Sequence, residues 1–282
     1  MDKKYAAIIG LNPSKGARSP KLWNLVYEKI KSNSRMICID IEDEEKVSHV
    51  IRNLENDENF LGGCIAYPYK ETIFKILGVE NIDKESSPIG AVNCIYRSSE
   101  GSLIGSNSDG FAALYSFKNQ LKQREIYPKS ILIAGLGGAG KAVSAYFGSY
   151  YLKKGLDITC ISRKNNAKFC QQLGIKWLPW SVIKDVAPNF EAFVNCTTLG
   201  SIGSLSEAPI DLEAFNSLKL KFVYDIIYDP LKTELIKASN RLNINYQNGL
   251  EMNLFQAARA FKLANNTNLN EEEIKNIMTI LK

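Results

Sequence analysis

The sequence predicts an α/β protein made of two α/β domains. Three observations predict it. The chain has 282 residues, a length that two domains of ordinary size fill. Strand-like and helix-like segments alternate in two series, separated by a break at Arg124–Lys129 that carries Pro128. The second series opens on an apolar run, a glycine-rich turn and a helix-like stretch, which is the local pattern of a strand–turn–helix unit.

In the first series Tyr5–Gly10 reads as a strand and Pro20–Lys31 as a helix. Arg35–Ile41 reads as a strand, Glu44–Asn56 as a helix, Cys64–Tyr67 as a strand and Lys70–Leu77 as a short helix. Strands that alternate with helices of this length predict a mostly parallel sheet. Ala91–Arg97 and Ser102–Asn107 read as a hairpin, because Ser98-Ser99-Glu100-Gly101 between them suits a tight turn. Asp109 precedes a helical stretch, Gly110–Gln123, and residues 110–129 form a linking helix and boundary. The second series places strands at Ile131–Ala134, Ile158–Ile161, Ala192–Cys196, Phe222–Ile226 and Ile244–Tyr246. Two helical stretches follow, near Leu250–Leu263 and Asn270–Leu281.

Composition excludes several classes of function. Hydrophobic residues make up 45% and charged residues 23%, the balance of a globular protein with a sizeable core. The net charge of +5 is scattered rather than blocked, so no nucleic-acid partner is expected. No apolar run approaches the ~18 residues of a membrane span, and Met1-Asp2-Lys3-Lys4-Tyr5 does not begin a signal peptide. The expectation is a cytoplasmic protein, monomer or homodimer, with a small-molecule substrate. None of the six cysteines forms a C-x-x-C pair, so reduced thiols are expected and a metal site is not. The one histidine, His49, lies off the helix face marked by Val47, Val50, Ile51 and Leu54. A Ser-His-Asp triad and a multi-histidine metal centre are thereby excluded. Any acid–base catalyst must be a lysine, a carboxylate, a tyrosine or a cysteine.

The strand-like run Ile131-Leu132-Ile133-Ala134 leads into Gly135-Leu136-Gly137-Gly138-Ala139-Gly140 and then a helix. This is G-x-G-x-x-G in the context that lets it bind a dinucleotide. The glycines allow a tight turn and let backbone approach a pyrophosphate, and the helix N-terminus offers unpaired N–H groups. The next strand ends Ser162-Arg163-Lys164, with no carboxylate where an NAD site places one. Arg163 and Lys164 suit a 2′-phosphate instead, so NADP(H) is the expected cofactor in a Rossmann-like second domain.

Further segments resemble the shikimate dehydrogenase family, in order and over nearly the whole chain. Gly90-Ala91-Val92-Asn93-Cys94 is similar to its G-A-V-N-T, and Gly105-Ser106-Asn107-Ser108-Asp109-Gly110 to its G-x-N-T-D-G. The glycine loop is similar to G-A-G-G-A, and Ser162-Arg163-Lys164 to the N-R-T that reads the NADP phosphate. Asn195-Cys196-Thr197-Thr198-Leu199-Gly200 resembles N-A-T-x-x-G, and Tyr224-Asp225-Ile226-Ile227-Tyr228 resembles Y-D-x-x-Y. Gly249-Leu250-Glu251-Met252-Asn253-Leu254-Phe255-Gln256 resembles G-x-x-M-L-x-x-Q.

The resemblance implies reversible, NADP-dependent reduction of 3-dehydroshikimate, a step of aromatic amino acid biosynthesis. It puts Lys70 on the family's catalytic lysine and Asp109 on its partner. Ser19, Asn93, Tyr228 and Gln256 fall on substrate contacts. The cofactor contacts are Gly135, Gly137, Gly138, Ala139, Gly140, Ser162, Arg163, Lys164, Thr197 and Gly249. It also implies that residues 1–109 plus 248–282 form a substrate-binding catalytic domain and 130–247 the NADP-binding domain, with the cleft between them. The chemistry agrees: hydride delivery to a ketone builds negative charge on oxygen, which an ammonium stabilises and protonates. Taken alone, Lys70 and Asp109 read as a helix start and an N-cap.

The substrate end departs from the family pattern. The stretch Gly10–Pro20 is one residue longer than the family's G-x-P-I-x-H-S-x-S-P. Ser19 keeps the second serine, but the first falls on Ala17, and a family histidine falls on Trp23. In N-V-T-x-P-x-K the asparagine has become Cys64 and the threonine Ala66. Ser14, Lys15 and Arg18 are candidates to replace the lost contacts. The competing expectations are a related cyclic keto-polyol acid as substrate, or an NADP(H)-binding protein with little catalysis that reports redox state.

Overall fold

The computed structural model describes residues 3–215 and 219–281, and its chain divides into two compact units. One comprises Met1–Ser108 with Leu254–Lys282, the other Asp109–Asn253. In chain order the strands and α-helices are β1 (Tyr5–Gly10), α1 (Ser19–Lys29), β2 (Arg35–Asp40), α2 (Val47–Asn56), β3 (Phe60–Ile65), α3 (Lys70–Leu77), β4 (Cys94–Arg97) and β5 (Leu103–Ser106). There follow α4 (Ser108–Gln123), β6 (Ser130–Ala134), α5 (Gly138–Tyr151), β7 (Asp157–Ser162), α6 (Ala167–Gln172), β8 (Lys176–Pro179), α7 (Ile183–Val186) and β9 (Ala192–Asn195). The chain closes with β10 (Phe222–Asp225), α8 (Glu234–Arg241), β11 (Asn245–Gln247), α9 (Leu250–Ala264) and α10 (Glu271–Met278). The division falls at the start of α4 and within α9.

The first unit holds a five-stranded sheet of order β2-β1-β3-β4-β5. β1 is parallel to β2 and β3, while β3, β4 and β5 run antiparallel in turn. The β4–β5 hairpin is the one expected from the Glu-Gly turn. Ala7, Ile9, Phe60, Ile65, Ile73, Val92 and Ile95 belong to one buried core in which α2 and α3 cover the sheet. Trp23 of α1 is fully buried with its ring edge-on to Phe261 of α9, so the residue standing at the family's histidine position is a core residue. His49 is exposed on α2, in the orientation the helical pattern gives it.

The second unit holds a six-stranded, wholly parallel sheet of order β11-β10-β9-β6-β7-β8. Counted along this unit alone, that is the 3-2-1-4-5-6 order of a doubly wound dinucleotide fold, whose switch point lies between the first and fourth strands. Here those strands are β6 and β9. The glycine loop leaves the end of β6, and Cys196-Thr197 leaves the end of β9. The aromatic rings of Phe117, Phe147, Tyr151, Phe222 and Tyr224 pack α4 and α5 against one face of the sheet.

The structure differs from the sequence reading in several boundaries and in added elements. β3 begins at Phe60 rather than Cys64, because Gly62 and Gly63 lie within the strand and pair with β1 and β4. The edge strand β8 and the helices α6, α7 and α8 are additions, short segments without a long apolar period.

Candidate active site and nucleotide-binding loop

In the first unit Lys70 opens α3 and is half-buried. Its position is held from both sides. The preceding Tyr69 is buried, and its hydroxyl donates to the Ile41 carbonyl at 2.6 Å. Burial, with Glu44 and Asp43 nearby, pushes that phenol above its ordinary range, so it remains a donor. The Lys70 carbonyl in turn accepts from Val92 N–H at 2.9 Å, which ties α3 to the segment carrying Asn93.

Asn93 is buried beside β4 and Gln256 is half-buried on α9. The structure brings them together through Ser108. Asn93 Nδ2 donates to Ser108 Oγ at 3.0 Å and to Gln256 Oε1 at 3.4 Å, and Ser108 N–H donates back to Asn93 Oδ1 at 2.8 Å. The Ser108 hydroxyl also reaches the Gln256 carbonyl at 3.1 Å. Ser108 is one residue that sequence reasoning missed. Its signal is the hydroxyl position of the G-x-N-T-D-G segment, which carries no role in the sequence reading. Lys70, Asn93 and Gln256 therefore belong to one neighbourhood of the first unit.

Ser19 sits in the first turn of α1 and is nearly buried. Of the three candidate replacements, Ser14 is committed elsewhere: its N–H and hydroxyl both donate to the Asp40 carboxylate. These bonds, with Lys15 nearby, hold the exposed Asp40 carboxyl below its usual range. Arg18 is half-buried immediately before Ser19. The Gly10–Leu11 turn bonds to the lysine segment through Leu11 N–H to the Tyr67 carbonyl at 3.1 Å, so the two altered segments adjoin.

In the second unit Asp109 lies in the first turn of α4 and is nearly buried. Gly110 beside it has no room for a Cβ, which would strike the Ala142 carbonyl and the Tyr146 ring. Asp109 is thereby set next to α5, the helix that follows the glycine loop. The Cys196 thiol lies close enough to feel it. That thiol is pushed well above its ordinary range, first by burial and then by the Asp225 and Asp109 carboxylates, so it stays protonated. Tyr228 is half-buried in the turn after β10.

The glycine loop fits a dinucleotide on two observations. Gly135 has φ +95°, and a Cβ on it would lie 2.9 Å from Thr197 Cγ2, while a Cβ on Gly140 would overlap the Gly135 carbonyl. Those two glycines serve the turn itself. At Gly137 a Cβ would meet no protein atom within 4 Å, so bare backbone faces open space. Gly137 is the N-cap of α5 with no side-chain cap, and Gly138, Ala139 and Gly140 form the first turn, whose N–H groups remain for an anion. Thr197 is fixed by Asn195, whose Oδ1 accepts from its N–H at 2.9 Å and its hydroxyl at 2.7 Å.

Two of the expected cofactor residues have structural duties. Gly249 packs against β10's end, where a Cβ would overlap the Ile226 carbonyl. The Ser162 hydroxyl is used up inside its own turn, donating to the Lys164 carbonyl at 2.7 Å. Arg163 and Lys164 are exposed, and neither makes an ion pair among the described residues.

At the end of β10 is a buried carboxylate outside the predicted site. Asp225 is fully buried and accepts from Asn195 Nδ2 at 3.0 Å, Thr233 Oγ1 at 2.7 Å and Ile227 N–H at 3.2 Å. Burial raises its carboxyl to about 6 against those hydrogen bonds. It clamps the ends of β9 and β10 together beside the switch point.

Comparison with known proteins agrees with this arrangement. The sequence pattern of the shikimate dehydrogenase substrate binding domain matches residues 8–95. The shikimate dehydrogenase (NADP(+)) of Streptococcus thermophilus is 30% identical over 94% of this chain and 92% of its own. That of Bacillus licheniformis is 29% identical over 98% and 96%. A crystal structure of a shikimate dehydrogenase in complex with NADP+ superposes with a TM-score of 0.82 at 27% identity, covering 99% of this chain and 96% of that one. Among the described residues no helix is long and apolar enough to cross a membrane. With the motifs in order, the doubly wound sheet beneath the glycine loop and relatives matching end to end, the chain belongs to the shikimate dehydrogenase family.

Proposed function

We infer that this protein is an NADP-dependent oxidoreductase that interconverts 3-dehydroshikimate, or a closely related cyclic keto-polyol acid, and its alcohol. The observation that carries the reading is the pairing of an open, uncapped glycine loop beside a basic turn with a separate lysine–amide set at Lys70, Asn93 and Gln256. NADPH, when bound, supplies the hydride. The chain's own residues do the rest. Gly137 and the first turn of α5 hold the pyrophosphate, and Arg163 and Lys164 hold the 2′-phosphate. The Lys70 ammonium stabilises the oxygen that gains charge and donates its proton to it, with Asp109 as its carboxylate partner. Asn93 and Gln256 present both donors and acceptors to ring hydroxyls, and Ser19 and Tyr228 complete the substrate contacts.

The altered substrate end supports a shift in recognition rather than a loss of chemistry. Ala17 and Ala66 offer no hydroxyl, and Ser14 is held by Asp40. The test follows NADPH consumption with 3-dehydroshikimate and with related cyclic keto acids. Lys70→Ala is expected to lower kcat by about 10²–10⁴-fold while leaving NADPH affinity unchanged. Near-normal kcat in that variant would reduce Lys70 to a helix residue, and no turnover of any cyclic keto acid by the wild type would overturn the reading.

A further inference from the structure

Arg163 and Lys164 are long, exposed side chains on the four-residue turn between β7 and α6, and such side chains recognise a phosphate well only when their backbone is fixed. The bonds that fix this turn come from other side chains, with the Lys164 carbonyl as an acceptor. They converge on one atom, Ser162 Oγ. It accepts from Asn166 Nδ2 at 3.1 Å and from Trp177 Nε1 at 2.9 Å, and it donates to the Lys164 carbonyl at 2.7 Å. A hydroxyl has one proton to give and two lone pairs to fill, so this one is saturated and has nothing left for a ligand. Asn166 Nδ2 also donates to the Lys164 carbonyl at 3.0 Å, and Asn165 Oδ1 accepts from Ala167 N–H at 2.9 Å, closing the far side of the turn.

Trp177 is the one member of this set from outside the turn. It lies on β8, the edge strand, directly opposite Cys160 of β7. Cys160 and Ser162 share a face of β7 because side chains alternate, so an indole opposite Cys160 reaches two residues along the strand to the Ser162 hydroxyl. The edge strand thus braces the tip of the neighbouring strand where the basic pair begins.

The geometry points to Trp177 as a positioning residue for 2′-phosphate recognition, acting through Ser162 on the backbone that carries Arg163 and Lys164. This rests on the reading that the basic turn binds the NADP phosphate. It assigns cofactor preference in part to a residue that touches no cofactor, on a strand outside the usual signature.

The experiment compares binding of adenosine 2′,5′-bisphosphate and 5′-AMP to the full chain by titration calorimetry. The wild type should prefer the bisphosphate. Trp177→Phe keeps an aromatic ring on the strand and removes the N–H. It should lower that preference by about three- to tenfold, the worth of one neutral hydrogen bond, with 5′-AMP affinity unchanged. Ser162→Ala removes the shared acceptor and should lower the preference at least as far, which keeps the test open if Trp177→Phe folds poorly. A preference unchanged in both variants, or equal losses for both ligands, overturns the positioning role and leaves the NADP reading standing. A wild type that binds the two ligands equally overturns the NADP reading and this role with it.

Discussion

Asn93 grips Ser108 at both ends of its amide, giving a proton to the hydroxyl at 3.0 Å and taking one from the backbone at 2.8 Å. The same amide reaches Gln256, so Ser108 decides how two candidate substrate ligands face each other. Removing its hydroxyl takes away one hydrogen bond from the Asn93 amide and one from the Gln256 carbonyl. Ser108→Ala is expected to destabilise the protein by about 1–3 kcal/mol and to raise KM for the ring substrate more than it lowers kcat. Thermal unfolding and steady-state kinetics check both, and an unchanged KM would make Ser108 purely structural.

The two glycines Gly137 and Gly140 should separate folding from binding. Alanine at 140 must overlap the Gly135 carbonyl, so Gly140→Ala is expected to cost about 1–3 kcal/mol in stability. Alanine at 137 meets no protein atom within 4 Å and keeps an extended backbone. Gly137→Ala should hold the wild-type melting temperature and yet lose about tenfold or more in NADPH affinity, roughly 1.4 kcal/mol. Retained affinity would show that the pyrophosphate does not approach this backbone.

Asp225 should leave a signature in the pH dependence of stability. Its carboxyl is raised to about 6 in the fold, against about 3.9 in an unfolded chain. Between those values the folded state binds more protons than the unfolded state, so this group's contribution falls as pH rises from about 4 to 6 and is level above. The shift corresponds to about 3 kcal/mol. Acidification from pH 7 to pH 4 should therefore stabilise the wild type relative to Asp225→Asn. Denaturant unfolding at both pH values measures it, and a pH-independent gap between the two proteins would mean that Asp225 ionises normally.

The substrate end can be returned toward the family pattern. Ala17→Ser together with Ala66→Thr restores two hydroxyls near Ser19 and the Lys70 turn. A hydrogen bond to a charged group contributes about 1.5–3 kcal/mol, so a recovered carboxylate contact should raise kcat/KM for shikimate by roughly ten- to a hundredfold. Efficient shikimate turnover by the wild type, with no gain in the double variant, would show that this pocket is built for shikimate by other contacts, Arg18 first among them.

Much of this is legible in the sequence itself. The apolar run 131–134 and the loop at Gly135–Gly140 announce a strand, a turn and a helix because each step has its own local physics: side-chain period, backbone freedom, N–H groups at a helix start. Arg163 could be named because no carboxylate follows the second strand. Ser108 could not be given its role, since a serine between an asparagine and an aspartate has no local signal for the amide it will meet 15 residues away. Trp177 was hidden for a related reason. Its strand, Lys176–Pro179, is four residues long at a sheet edge and carries no alternation to mark it.

By itself, then, the sequence determined the α/β class, the glycine loop and the basic turn, readable from residue type and short-range spacing, while Lys70 and Asp109 stood out only through the resemblance to the family. Tertiary structure alone decided which of these groups are already spoken for. It gave Ser14 to Asp40, tied the Ser162 hydroxyl to its own turn and to Trp177, and raised the Asp225 carboxyl between two strand ends. The reason is physical: a hydroxyl or carboxylate carries its chemistry in the sequence, but its availability depends on desolvation and on hydrogen-bond partners that only long-range packing supplies.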